Sequence, residues 1–298
     1  MTNIVIIGAG EIGIALGRVL KTGDRSVKLW DKDPGVVAAL GGESLGLPGI
    51  VPTADFVFIC VPSWALREAL FFISPYLGKK AVVVSVTKGI EAGSLKLPDE
   101  MLASLLPKRQ SFALMSGPMI AEELRDEKGG GAVVVSSQEK IVSLVSKLFD
   151  GSQIQVVPGT DVHGTALCGV IKNVYALALG ISFGLGLGEN ARGNLLVQML
   201  GEMKKILATL GGKQETALGL AGLGDLIATG FSSNSKNHEA GVLLAKGAAD
   251  MQSEGLASVN SLWTLLGAKS KKFPLLQIIH SIVSGDKEAG VEFEKLLT

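Results

Sequence analysis

Cysteine and histidine are scarce. The 298-residue chain has two cysteines, Cys60 and Cys168, and three histidines. The cysteines are far apart, lack metal-ligand spacing and lie in apolar runs, as buried thiols of a reducing compartment do. The histidines form no cluster, so no metal is expected. Net charge is absent as well, because 28 basic residues meet 28 acidic ones. That balance gives no electrostatic footprint for nucleic acid or an anionic membrane. The longest uncharged apolar run near the middle, 174–188, falls short of the ~20 residues that span a bilayer. It contains four glycines and reads as a buried core helix ending in a glycine-rich turn. The opening residues Met1 to Gly8 have no basic start and go straight into a strand, so no signal peptide is expected and the expected location is cytoplasmic.

The length is large for one core and suits two domains. Asn3-Ile4-Val5-Ile6-Ile7 is a β-branched apolar run of the kind found in a strand buried on both faces. It leads into Gly8-Ala9-Gly10-Glu11-Ile12-Gly13 and a helical pattern through Leu20. Glycines at this spacing between a strand and a helix permit a tight turn, close backbone approach to a pyrophosphate, and phosphates at the helix amino end. A glycine-rich turn without a ligand is the plainer alternative. The context favours the nucleotide: a second strand, 26–30, ends in Asp31, 18 residues after Gly13, near the ~20 expected for the acid that bonds a ribose hydroxyl. Asp31 argues for NAD over NADP, because a carboxylate repels a 2′-phosphate. Lys28 and Lys32 weaken that preference, so the expected cofactor is NAD or NADP.

Five more strand-like runs follow at 56–61, 81–86, 112–115, 132–135 and 154–157, mostly with helical segments between them. The alternation predicts a mostly parallel sheet covered on both faces. Unusual residues end these runs: Pro62-Ser63, Thr87-Lys88-Gly89 and Ser116-Gly117-Pro118. Ligands of parallel α/β sheets bind beyond the carboxyl ends of the strands, so Lys88 and Gly117 are expected near the nicotinamide. A lone lysine after a strand is commonly just solvated, but Lys88 directly ends a buried run.

After Gly159 the strand signals stop, and helices are expected at about 161–183, 190–210, 215–229, 237–247, 254–267 and 273–284. The predicted architecture is therefore α/β: a Rossmann-like, mostly parallel sheet domain over 1–158, then an all-α substrate and catalytic domain over 159–298. In the first of these helices, apolar residues at 167, 170, 171, 174, 177, 178 and 181 mark a buried stripe. Lys172 lies off it, on a face with Thr165, Cys168, Gly169 and Ala176. Small neighbours leave room for a ligand, and an apolar setting lowers a lysine pKa toward a value useful for proton transfer. The alternative is a lysine snorkelling to solvent. Asp225 and Thr229, four apart in a glycine-rich segment, share a face if helical. A buried Asp225 needs a partner, for which Lys172 is a candidate, or it is an ordinary helix cap. Ser235-Lys236-Asn237 at a helix start offers free N–H groups, hydroxyl and amide donors and a cation, which together favour a phosphate over a plain cap.

Taken together, these motifs resemble the soluble, bacterial-type NAD(P)-dependent glycerol-3-phosphate dehydrogenases, across nearly the whole chain. The resemblance rests on the Gly8/Gly10/Gly13 turn, Lys88-Gly89, Ser116-Gly117-Pro118, Gly169-Val170-Ile171-Lys172-Asn173-Val174, Gly222-Leu223-Gly224-Asp225-Leu226, Ser235-Lys236-Asn237 and Glu254-Gly255. It implies that Lys172 is the proton donor and acceptor, with Lys88 and Asp225 at the reacting end of the substrate and Asn173 helping to position it. Gly117, Ser235, Lys236 and Asn237 would bind substrate. Glu11, Ile12, Asp31, Lys32, Lys88, Ala121, Lys236 and Glu254 would contact the cofactor along with the three glycines. The implied reaction interconverts dihydroxyacetone phosphate and sn-glycerol 3-phosphate, for glycerophospholipid synthesis, in a possible homodimer. Three departures stand out. Lysine replaces the usual arginine at Lys236, which loses a bidentate grip on phosphate. Met119 replaces a usual Ser or Thr. The stretch from Pro34 to Asp55 is short. Two other readings stay open: a different two-domain hydroxyacid or ketopantoate-type dehydrogenase, or an inactive cofactor-binding regulator.

Overall fold

A computed structural model describes residues 1–41, 45–248 and 251–297. The chain divides into two units, Met1–Thr87 with Pro98–Val162, and Lys88–Leu97 with His163–Thr298. The sequence suggested two continuous halves. The short segment Lys88–Leu97 departs from that division because the Lys88 side chain packs on Gly169 and ends at Asp225, both in the second unit.

The first unit alternates strands and helices: β1 (Thr2–Ile7), α1 (Glu11–Leu20), β2 (Arg25–Trp30), α2 (Pro34–Ala39), α3 (Leu47–Ile50), β3 (Phe56–Ile59), α4 (Leu66–Ile73), β4 (Val82–Ser85), α5 (Pro98–Leu105), β5 (Ser111–Ser116), α6 (Ala121–Arg125), β6 (Gly130–Val135), α7 (Glu139–Ser146) and β7 (Ile154–Gly159). One sheet takes the order β2-β1-β3-β4-β5-β6-β7. Every pairing is parallel except β5 with β6. β3 and β4 are buried at every residue, as their unbroken apolar runs require. Chain order reverses where β1 lies between β2 and β3. Such a switch opens a crevice at the carboxyl ends of those strands.

The second unit contains α8 (Val162–Gly184), α9 (Glu189–Leu210), α10 (Asp225–Phe231), α11 (Lys236–Ala245), α12 (Glu254–Leu266), α13 (Pro274–Val283) and α14 (Ala289–Leu297). The expected helix over 215–229 is instead a 3-10 turn (Gln214–Leu218), a π turn (Leu220–Gly224) and the short α10. Gly222 sits so close to the Ala217 carbonyl that a Cβ there would overlap it, so only glycine fits this tight winding. α14 is not among the helices expected from sequence.

α8 is 23 residues long and buried at every residue from Gly164 to Ser182. By length and composition it could cross a membrane, but 94% of its most apolar window is buried inside the protein. A helix apolar all round is a core helix. α8 and α11 touch backbone to backbone: a Cβ on Gly180 would overlap the His238 carbonyl, and one on Gly241 the Leu177 carbonyl. This approach sets the start of α11 beside the middle of α8. A further tie comes from buried Glu202 on α9. Its carboxylate accepts from the Tyr175 hydroxyl at 2.8 Å and from the backbone N–H of Leu275 and Leu276 at 2.8 and 3.1 Å, closing the exposed donors of α13.

Candidate active site

Lys172 does not snorkel. Its side chain is 6% exposed, and Nζ donates to Asp225 Oδ1 at 3.0 Å and to Thr229 Oγ1 at 2.8 Å. The Thr229 hydroxyl in turn donates to the same Asp225 oxygen at 3.1 Å. The other carboxylate oxygen, Oδ2, accepts from Lys88 Nζ at 2.6 Å. Two lysines thus share one buried acid. Asp225 is the first residue of α10, which continues directly from the π turn before it. The room expected beside Lys172 for a ligand is partly filled: a Cβ on Gly169 would stand 3.2 Å from the Lys88 side chain. Gly169 is small so that Lys88 can lie across α8.

Burial moves the two kinds of charge in opposite directions. It lowers the Lys172 pKa, helped by the neighbouring Lys88 cation and opposed by Asp225, to about 8. At Asp225 burial pushes the pKa up, but the Lys172 and Lys88 ammonium groups outweigh it and hold the carboxyl below its usual value. The result is an ionised acid beside a lysine that can exchange a proton near neutral pH.

Asn173 follows Lys172 on α8 and is buried. Its Oδ1 accepts from Asn237 Nδ2 at 2.8 Å, and Asn237 Oδ1 accepts from the Gly255 N–H at 2.8 Å. Asn237, expected at the phosphate with Ser235 and Lys236, therefore has its carbonyl oxygen and an amide hydrogen engaged within the unit. Ser235 is the N-cap of α11, its Oγ accepting from His238 N at 3.3 Å. Lys236, the first residue of that helix, is exposed and makes no ion pair among the described residues. Glu254, half-buried, begins α12 close enough to Lys172 for its charge to raise that pKa.

The first unit holds a separate cleft of about 350 Å³ at its topological switch, lined by Gly8, Gly10, Trp30, Asp31, Lys32, Val61, Trp64, Glu68 and Phe72 among others. The residues fit a dinucleotide. Nothing lies within 4 Å of a Cβ position at Gly10, which leaves space for a ligand, while a Cβ on Gly13 would overlap the Gly8 carbonyl. Only glycine therefore lets α1 approach the turn. Asp31 is fixed at the end of β2, its Oδ2 accepting from Ala9 N at 2.9 Å and its Oδ1 from Asp33 N at 3.0 Å. Each oxygen keeps a lone pair for a hydroxyl. Lys32 pairs with Glu68 at 3.3 Å, both exposed. Glu11 is exposed and Ile12 half-buried at the start of α1. Gly117 has φ +149°, and a Cβ there would overlap the Gly131 carbonyl, so packing alone demands glycine. Ala121 and Met119 are buried. Among the described residues no group of three potential metal ligands occurs.

Thr229, Glu68 and the aromatic residues of the cleft were not singled out as site residues from sequence. The i, i+4 spacing of Asp225 and Thr229 was visible. Trp64, Glu68 and Phe72 fall four apart, a helical spacing that was visible, but that their face turns to the cleft depends on how α4 lies along the sheet.

Comparison with known proteins agrees with this geometry. Residues 47–142 match the family described as NAD-dependent glycerol-3-phosphate dehydrogenase N-terminus, and residues 161–293 match its C-terminus counterpart. A glycerol-3-phosphate dehydrogenase [NAD(P)+] of Azotobacter vinelandii is 33% identical, over 99% of this chain and 94% of its own. One from Ectopseudomonas mendocina is 34% identical, over 94% and 89%. The crystal structure of glycerol-3-phosphate dehydrogenase from Coxiella burnetii superimposes with a TM-score of 0.91 at 30% identity, over 99% of this chain and 98% of that one.

Proposed function

The chain belongs to the NAD-dependent glycerol-3-phosphate dehydrogenase family, and on that premise we propose that it interconverts dihydroxyacetone phosphate and sn-glycerol 3-phosphate, with Lys172 giving and taking the proton. The observation that supports this most directly is a buried lysine, pinned by Asp225 and Thr229, whose pKa falls to about 8. A nicotinamide cofactor, when bound, supplies the hydride that reduces the carbonyl carbon. The carbonyl oxygen then needs a proton, and Lys172 Nζ gives it. In the reverse direction neutral Lys172 takes the proton from the alcohol. Asp225 holds the ammonium in place and favours its charged form. Lys88, anchored on the other oxygen of Asp225, adds positive charge where the oxygen becomes negative, the electrostatic help expected to matter most. Asn173, the next residue on α8, is assigned with Lys88 to positioning the carbonyl and hydroxyl.

The phosphate is assigned to exposed Lys236, half-buried Ser235 and buried Asn237 at the amino end of α11, where free N–H groups and a cation meet. Gly117 is assigned to the substrate as well. Gly8, Gly10, Gly13, Glu11, Ile12 and Asp31 would hold the dinucleotide, with Lys32, Lys88, Ala121, Lys236 and Glu254 as further contacts. Asp31, fixed by two backbone amides, supports NAD over NADP, and the Glu68 partner offsets the charge of Lys32. The product fits supply to glycerophospholipid synthesis by a cytoplasmic enzyme. The burial of α8 supports a site that needs no membrane.

The deciding experiment follows absorbance at the nicotinamide band with dihydroxyacetone phosphate and each reduced cofactor in turn, against a panel of keto acids. Turnover of dihydroxyacetone phosphate is expected. Turnover of ketopantoate or a 2-keto acid alone, or nucleotide binding without turnover, would overturn the assignment.

A further inference from the structure

We infer that His238 is a positioning residue that fixes the span between the two ends of the substrate site. It locks the start of α11, which carries Ser235, Lys236 and Asn237, onto the end of α10, which carries Asp225 and Thr229. The inference rests on the function proposed above, in which the phosphate lies at the start of α11 and the proton moves at Lys172.

Three contacts of His238 hold this corner. Its backbone N–H donates to Ser235 Oγ at 3.3 Å, closing the first turn of α11. Its ring nitrogen Nδ1 lies 2.6 Å from the Gly230 carbonyl oxygen. A carbonyl can only accept, so Nδ1 carries the hydrogen and donates. Gly230 is in the last turn of α10, whose carbonyls have no helical N–H to meet. The ring therefore caps α10 from the start of the next helix. The third contact is packing: the His238 and Phe183 rings meet edge to face, with centroids 4.8 Å apart.

Phe183 is itself a fixed seat near the carboxyl end of α8. Phe231, the last residue of α10, meets the same ring edge-on at 5.8 Å. The Arg192 guanidinium lies 4.0 Å over that ring, and it is held in turn by the Leu187 carbonyl and the Glu189 carboxylate. The backbone is pressed on α8 as well, since a Cβ on Gly180 would stand 2.1 Å from the His238 carbonyl oxygen. The bonds of the connecting turn are local by contrast: Ser235 N–H donates to the Ser232 carbonyl and Asn234 N–H to Ser232 Oγ. They shape the turn without tying it to α10.

The consequence bears on substrate binding. A molecule with its carbonyl at Lys172 and its phosphate at α11 needs both ends held at one separation. His238 is 9% exposed and Gly230 is buried, so loss of the ring N–H leaves the carbonyl without its partner in a place water reaches poorly. The corner would then populate other arrangements, and the apparent affinity falls by the fraction that stays competent. Bound substrate restores the competent corner, so chemistry at Lys172 keeps its rate.

The test is His238→Leu, which keeps apolar bulk and removes the donor. KM for dihydroxyacetone phosphate is expected to rise about tenfold, the scale of losing one hydrogen bond to a buried carbonyl. The kcat should stay within about threefold and KM for the reduced cofactor should not change. A variant that is merely less well folded would lose kcat with KM unmoved. His238→Asn places an amide N–H where Nδ1–H stood, so its KM should return to within about threefold of wild type. If the leucine variant does not fold, His238→Gln takes its place with the same expectation, because its donor is carried one bond farther out. An unchanged KM in His238→Leu, a fall in kcat without a rise in KM, or a KM in His238→Asn as high as in His238→Leu would overturn the inference. Absence of dihydroxyacetone phosphate turnover in the wild-type protein would instead sink the functional reading beneath it.

Discussion

Lys172 Nζ and Asp225 Oδ1 lie 3.0 Å apart in a setting that exposes neither side chain by more than 6%. At that burial the acid and the base depend on each other. Removing Asp225 leaves Lys172 as an unpaired buried charge, which costs several kcal/mol or forces neutralisation, whereas removing Lys172 leaves Asp225 paired with Lys88. Thr229 and Lys88 complete the group, so the four residues work as one assembly.

Replacing the proton carrier gives the plainest prediction. Lys172→Ala is expected to lower kcat by at least ~10²–10⁴, the range of positioned acid–base catalysis. Cofactor binding, measured by fluorescence quenching or calorimetry, should be unchanged. Turnover within tenfold of wild type would show that the proton comes from elsewhere.

The pH dependence has a defined sign. Reduction requires charged Lys172, so kcat/KM for dihydroxyacetone phosphate should fall as pH rises through about 8. Oxidation of glycerol 3-phosphate requires neutral Lys172, so its kcat/KM should rise through the same region and level off above it. In Asp225→Asn the carboxylate that raises the lysine pKa is gone, and the transition should move to lower pH. A transition that stays near 8 in that variant would separate the two residues.

Lys236 should behave as a binding residue. Lys236→Ala is expected to raise KM for dihydroxyacetone phosphate by tenfold or more, the scale of a charge-assisted contact worth about 1.5–3 kcal/mol, with kcat little changed. Lys236→Arg tests whether a planar fork grips the phosphate better, and a lower KM is expected. Steady-state kinetics at fixed cofactor would read both, and an unchanged KM for the alanine variant would remove Lys236 from the phosphate site.

Packing offers a prediction on stability. Gly241→Ala places a methyl group against the Leu177 carbonyl and must push α11 from α8, at a cost of about 1–3 kcal/mol. Gly193→Ala, in α9 with nothing within 4 Å of its new Cβ, should be neutral or stabilise by up to about 1 kcal/mol. Denaturant melts of the two variants give the comparison, and equal midpoints would show that the crossing tolerates a side chain.

The sequence by itself determined a good deal. The β-branched run before Gly8, the glycine spacing and the acid at position 31 specified the nucleotide turn, because each is a local requirement of backbone geometry. The change from strand to helix signals after Gly159 marked the two architectures for the same reason. From its helix alone Lys172 read more readily as a snorkelling lysine, and the role proposed for it came from the resemblance of the whole set of motifs. What Gly169 was for could not be read: the Lys88 side chain lies against it. Only tertiary structure brought two lysines to one carboxylate, moved Lys88–Leu97 into the second unit, and turned Asn237 toward Asn173. Those contacts join residues between 53 and 137 positions apart. Local periodicity says nothing at such separations, because the approach of one backbone to another is set by packing over the whole unit.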